Sequence, residues 1–525
     1  MPGEPASGET RRPLAILLQE PPAILRFAAW LVIAGLIIGS RWWIAAHLPA
    51  YLWTRDSGSY VAPAISWLEG QPWVTSPRRG PVYSLFIALI ARAGGSLTTV
   101  ANIQHVIGAV TAMLTIAMAR VWLGRPAFWP LVFCSFWYAL FGMPMELECL
   151  IRNETLLVLF STVAFGAWFF ALRNGSAAWC ATSGLASGLL QLLKGIFPIF
   201  PLLAIAGFAW QWRRQPVRAC LLAACYIVLF AVPLAASRLY TRASNTARPA
   251  EPEAGEMFYG RTAQWTYLDG GVAPDLKPRI RGQVEEYIRR FRATGRLDNN
   301  EIVKRTVVPA LKDILINERH LQPADVDRLC WRLGIEAVEH HPAEFLRQVI
   351  HDCYFLNFIT AQRMIFFKRE ELPPSVRDAA QFASEHYAAD DSLAQRLFGL
   401  DAARRAVTEG VKVRSGLQTF ARFLHRMANW RIVSPVFVTT LLLPVLVYFT
   451  RDADRLFWLG MGILWYYYLA LLATVGRPLD RYLLPVTPIA FWAYCTGLTM
   501  LWNLALRRGW FGTEKRIGMA LRAGP

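Results

Sequence analysis

The stretch RDSGSYVAPAISWLEGQPWVTSPRRGP, from Arg55 to Pro81, follows closely on a strongly apolar run and carries Asp56 near one end and the pair Arg78–Arg79 near the other. A carboxylate can take a proton from a nucleophile, and guanidinium groups hold phosphate through charge-assisted hydrogen bonds. Further residues of the same kinds stand at the edges of later apolar runs: Glu146, Glu148, Arg152 and Glu154 in MELECLIRNETLLVLF, Lys194 in LLKGIFP, and Arg477, Asp480 and Arg481 in GRPLDRYLLP. Carboxylates and cations gathered on one membrane surface suit a reaction on a lipid-borne anion, with the cations on phosphate and a carboxylate as base.

Each residue also has a plainer reading. Asp56 before Ser57 and Gly58 can cap the helix that follows, and Glu154 at the head of an apolar run can complement a helix dipole. Arg78 and Arg79 can anchor to lipid headgroups, and Lys194 can snorkel between two spans.

The elements that position these groups are set by composition. The 525 residues are 54% hydrophobic and only 18% charged, with 21 tryptophans, and several apolar runs reach the roughly 18–20 residues that cross a bilayer. The fold class that follows is an all-α polytopic membrane protein. Spans fall near 23–41, 97–121, 127–144, 153–172, 177–193, 196–212, 217–236, 432–450, 456–475 and 482–505, the first read as a retained signal anchor. The formal charge of +18 comes from basic residues at the ends of these runs, a positive-inside pattern rather than a groove that tracks nucleic acid, so nucleic-acid binding is excluded. With both termini cytoplasmic, the inner connections carry Arg120 and Arg125, Arg173, Arg213, Arg214 and Arg218, and Arg451 and Arg455.

The run Pro81 to Gly95 is too short for a further span and reads as a re-entrant or juxtamembrane helix. Before it, Tyr60, Val61, Ala64, Ile65 and Leu68 share one face of a helix beginning near Ser57 that Gly70-Gln71-Pro72 ends. The chain thus divides into an N-terminal transmembrane module, 1–236, with an outer loop at 47–96; a mostly helical outer-face domain, 237–431; and a C-terminal module, 432–525, with a basic tail. The polar domain opens with the loop-like NTARPAEPEAGE and shows helical stretches near 279–295, 300–318, 323–340 and 343–369. Span interiors hold His105 and little other ionisable chemistry, which speaks against ion-coupled transport; its expected role is packing, bonded to Gln104 or a neighbouring span. Cys330 and Cys353 share the polar domain and could pair if it lies in an oxidising compartment.

The order DSGSY, WLEGQPW and RRGPVYSLFIALI resembles the first outer loop of GT-C membrane glycosyltransferases, in particular the dolichyl-phosphate-mannose–protein mannosyltransferase-like group and its bacterial relatives, such as the lipid A aminoarabinose transferase. The matching residues are Asp56, Tyr60, Gly70, Arg79, Pro81 and Tyr83. IRNETLLVLF is similar to the stretch bearing that group's second outer acidic residue, here Glu154; GLASGLLQLLKGIFPIFPLL places Lys194 at an outer turn; GRPLDRYLLPVTP resembles a late Arg-Tyr-x-x-Pro element with Arg481, Tyr482 and Pro485; and EHHPAEFL is similar to a helix start among bacterial members. The sequence departs from the group in reading RGP rather than RPP, which leaves open whether Arg78 or Arg79 meets phosphate. It also has Glu rather than Asp as the second acid, with Glu146 and Glu148 as competitors.

The resemblance implies a GT-C-like bundle of about ten transmembrane helices in a bacterial inner membrane, its active site facing the periplasm. The activity implied is sugar transfer, with inversion, from a polyprenyl-phosphate donor to a glycolipid such as lipid A or lipopolysaccharide, or to a protein. Asp56 and Glu154 would be the catalytic carboxylates, with Arg78, Arg79, Tyr60, Tyr83, Lys194, Arg481 and Tyr482 around the substrate and its phosphate. No cofactor is implied; a divalent metal is not favoured, because no compact DxD or His cluster is present. Two other classes share some of these features: a lipid-linked-sugar transporter or flippase, which calls for polar residues through the membrane, and a non-catalytic envelope-assembly protein, which would not need Asp56. The oligomeric state is open.

Overall fold

The computed structural model describes residues 21–47, 53, 56–71, 80–124, 127–140, 145, 147–195, 197–243, 254–294, 307–358, 375–387, 391–399, 435–474 and 480–508. These form an all-α polytopic membrane protein, with no strand among the described residues. Arg78, Arg79 and Glu146 lie outside the described residues, as do the side chains of Asp480, Arg481 and Tyr482.

Among the described residues, six helices are long and apolar enough to cross a membrane: α1 (Ala23–His47), α4 (Leu97–Leu123), α6 (Glu154–Asn174), α9 (Pro216–Ala243), α18 (Asp452–Thr474) and α19 (Thr487–Arg507). Four further expected spans are shorter apolar helices: α5 (Phe128–Ala139), α7 (Ala177–Leu193), α8 (Ile199–Gln211) and α17 (Pro435–Phe449). The expected outer-loop helices are α2 (Gly58–Leu68) and α3 (Pro81–Arg92).

One end of the bundle is basic. Arg173 Nη1 donates to the Trp122 carbonyl at the foot of α4 (3.3 Å), and Arg218 Nη2 donates to the carbonyls of Asn174 and Gly175 (3.2 Å each), its guanidinium 3.9 Å from the Trp212 ring centroid. Above this end Trp122, Phe169, Phe457 and Trp458 pack ring on ring between α4, α6 and α18. Glu154 lies at the opposite end of α6 from Arg173, whereas Asp454, at the start of α18, stands beside Arg173 at the basic end.

The polar segment builds a second, smaller core from α10 (Ala254–Thr262), α11 (Lys277–Thr294), α12 (Val307–Asp313), whose last residues run into a π-turn (Ile314–Glu318), and α13 (Pro323–His340). Helix α10 overlaps the end of the stretch expected as loop. Its start is capped from 72 residues away: the Asp327 carboxylate accepts from the backbone N–H of Gly255 (2.8 Å) and Glu256 (3.1 Å), a stabilisation that local sequence does not show. Lys277, with its side chain fully buried, pairs with Glu336 at 2.7 Å and ties α11 to α13. Cys330 and Cys353 are both free thiols.

Helix α14 (Pro342–Phe358) returns to the bundle and packs against α17 and α18. Helices α15 (Ser375–His386) and α16 (Ser392–Phe398) lie over the Asp56 loop, with Phe382 and Phe398 against Trp53 at ring-centroid distances of 5.1 and 5.6 Å.

Candidate functional site

Asp56 sits in the turn before α2. The cap position itself is Ser57, whose side chain makes no capping bond, and the Asp56 carboxylate pairs with Arg152. Arg152 belongs to the buried segment between α5 and α6, and its guanidinium lies between two carboxylates. Nη2 donates to Asp56 Oδ2, while Nε faces Glu154 Oε1 at 3.5 Å, near enough for charge attraction but long for a hydrogen bond. Arg152 and Glu154 are 5% and 2% exposed, so solvent screens neither charge strongly. Glu154 is the first residue of α6, where the helix dipole also favours its negative charge.

A second cluster lies beside the first. Glu148 Oε1 accepts from Arg41 Nε (3.2 Å) and Nη2 (2.9 Å), and Oε2 lies 2.9 Å from His105 Nδ1. A carboxylate held by an arginine only accepts, so the His105 nitrogen that faces it carries the proton. His105 Nε2 in turn lies 3.4 Å from Cys149 Sγ. The partners of His105 are therefore Glu148 and Cys149, not Gln104. Gly108, one turn further along α4, leaves the room this needs: a Cβ there would stand 1.9 Å from Glu148 Oε1. A narrow cleft beside the two clusters is lined by Arg41, Tyr138, Glu148, Glu154, Thr155 and Leu484 among others, and of the first cluster Glu154 is the residue that reaches it. Thr155 Oγ1 is buried there with no hydrogen-bond partner.

The remaining expected residues are placed as follows. Lys194 is the C-cap of α7 and half-buried, and Asn153 Nδ2 donates to the carbonyl of the preceding Leu193 (2.9 Å), so the end of α7 is tied to the turn that bears Arg152 and Glu154. Gly80, the residue after Arg79, comes against the same helix end: a Cβ at 80 would lie 1.3 Å from the Leu192 carbonyl oxygen, so only glycine fits this approach. The closeness of those two backbones gives a physical reason for RGP in this chain. Tyr60 and Tyr83 are buried beneath the Asp56 turn, ring edge to ring face at 5.0 Å, and the Tyr83 hydroxyl donates to Gln104 Oε1. The backbone of Arg481 and Tyr482 lies in a 3₁₀ turn, Asp480–Val486, that packs on α6 and sends Leu484 to the cleft.

Sequence reasoning gave no role to Arg41, counted Arg152 only among the cations at the edges of apolar runs, and offered Gln104 only as a partner for His105. Arg41 stands on the penultimate turn of the first span, where an arginine is ordinarily an interfacial anchor, and only its 6% exposure sets it apart. Arg152 had a visible signal, a cation two residues before Glu154. Among the described residues, no three His, Cys, Asp or Glu side chains are grouped to hold a metal ion.

The fold and site together define a helical membrane protein with paired carboxylates and buried arginines around a cleft at one end of its bundle. No protein-family model and no curated protein matches the chain. Among solved structures it is similar to ArnT from Cupriavidus metallidurans bound to undecaprenyl phosphate, at 15% identity over 82% of this chain and 84% of that one, with a TM-score of 0.37. It is likewise similar to ArnT from Cupriavidus metallidurans in the apo state, at 14% identity, the same coverages and a TM-score of 0.35.

Proposed function

We propose that the chain is a membrane glycosyltransferase that moves a sugar from a polyprenyl-phosphate donor to a hydroxyl or similar nucleophile of a glycolipid, lipid A or lipopolysaccharide among them, or of a protein. The observation that carries this reading is the convergence of Asp56, Arg152 and Glu154, from separate parts of the chain, beside a cleft at one end of the bundle. The motif resemblance in the outer loop supplies the reaction class.

In this reading the Arg152 guanidinium holds Asp56 and Glu154 until donor phosphate competes for it. Asp56 then takes the proton of the attacking nucleophile. The bond from the anomeric carbon to the phosphate oxygen breaks as the nucleophile bonds from the opposite face, giving inversion. Glu154 stabilises the oxocarbenium-like charge on the ring, as carboxylates do in glycoside chemistry. Arg152, Lys194 and one of Arg78, Arg79 and Arg481 meet the charge that grows on the departing phosphate, an electrostatic gain concentrated in the transition state. The basic end of the bundle faces the cytoplasm by the positive-inside rule, so the cleft opens outward, to the periplasm of a bacterial inner membrane. No metal is assigned a role.

The test is transfer by the purified chain in nanodiscs from a panel of polyprenyl-phosphate sugars, with wild type beside Asp56→Asn. Transfer by wild type that drops at least ~100-fold in Asp56→Asn supports the reading. Undiminished transfer in the variant removes Asp56 as the base, and absence of transfer from every donor removes the class.

A further inference from the structure

The pair Asp56–Arg152 joins two segments far apart in sequence, and its geometry is closed by a ring of contacts passing through one buried amide. Gln104, on α4, is fully buried. Its Nε2 donates to two carbonyls of the segment that carries Arg152: Glu148 at 2.7 Å and Leu150 at 2.8 Å. Its Oε1 accepts from the Tyr83 hydroxyl, Tyr83 packs edge to face with Tyr60, and Tyr60 stands one helical turn after Asp56. From Asp56 the ring thus runs through Tyr60, Tyr83 and Gln104 to Leu150, and from Arg152 back to Asp56.

Both donors and the acceptor of this amide are used, and they are used on both sides of the ion pair. A buried amide in an apolar bundle is costly unless fully bonded. A leucine or methionine of similar volume would fill the same space without needing three partners. What the amide adds is a fixed distance between the backbone under Asp56 and the backbone bearing Arg152 and Glu154.

We infer that Gln104 is a positioning residue: through Tyr83 on one side and the Glu148 and Leu150 carbonyls on the other, it sets the register of Asp56 against Arg152. It touches no substrate and acts only through those two residues. The consequence for sugar transfer rests on the function proposed above, whereas the consequence for the ion pair does not.

The experiment therefore has two readouts on the full-length protein in nanodiscs. The first needs no substrate. Labelling of Asp56 by a water-soluble carbodiimide and an amine, followed by mass spectrometry, reports how firmly Arg152 holds the carboxylate. The second is the split of kcat and donor KM in the transfer assay. The variants are Gln104→Leu and the milder Tyr83→Phe, with Thr115→Val as the control. Thr115 is a fully buried residue further along α4, and the control removes its hydroxyl and the bond it donates to the Thr111 carbonyl.

Labelling of Asp56 is expected to rise several-fold in Gln104→Leu and less in Tyr83→Phe, and to stay at the wild-type rate in Thr115→Val even where that variant melts as low. With a working assay, Gln104→Leu lowers kcat on the order of 100-fold with donor KM nearly unchanged, because a displacement near 1 Å suffices for that loss. Wild-type labelling in Gln104→Leu and Tyr83→Phe alike, alongside a fall in melting temperature, would overturn the inference and leave Gln104 a packing residue. If Gln104→Leu does not fold, Gln104→Met, similar in volume and likewise without the amide, takes its place in the same assays. If wild type transfers no sugar, the functional reading fails while the labelling still decides this one.

Discussion

Arg41, on the first helix, and Glu148, 107 residues later, form a buried pair in which one carboxylate oxygen takes both arginine donors and the other faces His105. Their side chains are 7% and 2% exposed. Removing one partner of such a pair leaves an uncompensated charge, whereas removing both together does not. Arg41→Met is accordingly expected to destabilise the protein by about 3–5 kcal/mol and Arg41→Met with Glu148→Gln by much less, measured as denaturation midpoints in a single detergent. Additive losses in the double variant would show that the pair is not coupled.

Gly108 offers a steric check on the same cluster. The Cβ introduced by Gly108→Ala meets the Glu148 carboxylate rather than open space, and must push it off Arg41 or off His105. A loss of roughly 1–3 kcal/mol is expected, typical of overpacking, and it should shrink when Glu148 is shortened to Asp. Thermal unfolding of the two single variants and the double variant measures this.

Arg152 divides its charge between Asp56 and Glu154 by means of a planar fork that lysine lacks. Arg152→Lys keeps the charge but is expected to cost transfer roughly 10²-fold, with less effect on stability than Arg152→Gln. Equal activity in Arg152→Lys and wild type would mean that the fork geometry is unimportant.

In the polar segment, two exposed pairs give a pH dependence of known sign. Arg279 bonded to Glu318 holds that carboxyl below its usual range, and Arg319 does the same for Asp275. A depressed carboxyl stabilises the fold above its unfolded pKa, and the contribution is lost as pH falls through the folded value. Hydrogen exchange over residues 254–340 should therefore quicken from the ordinary carboxyl range downward, and Arg279→Gln with Arg319→Gln should flatten that dependence. Because both pairs are solvent-exposed, the effect is expected to be small.

The buried pair Lys277–Glu336 makes the opposite prediction in size. Lys277→Met leaves Glu336 with the Val272 N–H (2.6 Å) but no cation, and should loosen the junction of α11 and α13 by about 3–5 kcal/mol. Local hydrogen exchange in Gly271–Ile280 measures it.

Much of this protein is written along the chain. Apolar runs bounded by arginines fixed which segments became bundle helices, because hydrophobic length and terminal charge are local properties. The period of Tyr60, Val61, Ala64, Ile65 and Leu68 announced α2, and all of them except Leu68 are buried in the structure. Asp56 and Glu154 were visible for their chemistry, since a carboxylate at the edge of an apolar run needs a reason to be there.

Partnership was not visible. Asp56 read locally as a helix cap, and only the fold brings Arg152 to it from 96 residues away. His105 read as a packing residue bonded to Gln104 or a neighbouring span, because nothing local says that the turn carrying Glu148 and Cys149 would fold onto α4. The cap of α10 by Asp327 and the Gly80 approach to Leu192 are of the same kind. The sequence by itself determined an all-α membrane protein and the residue types available for its chemistry. Only the tertiary structure decided which charge answers which, because pairing energies depend on distance and burial, and both are set by contacts between segments remote in the chain.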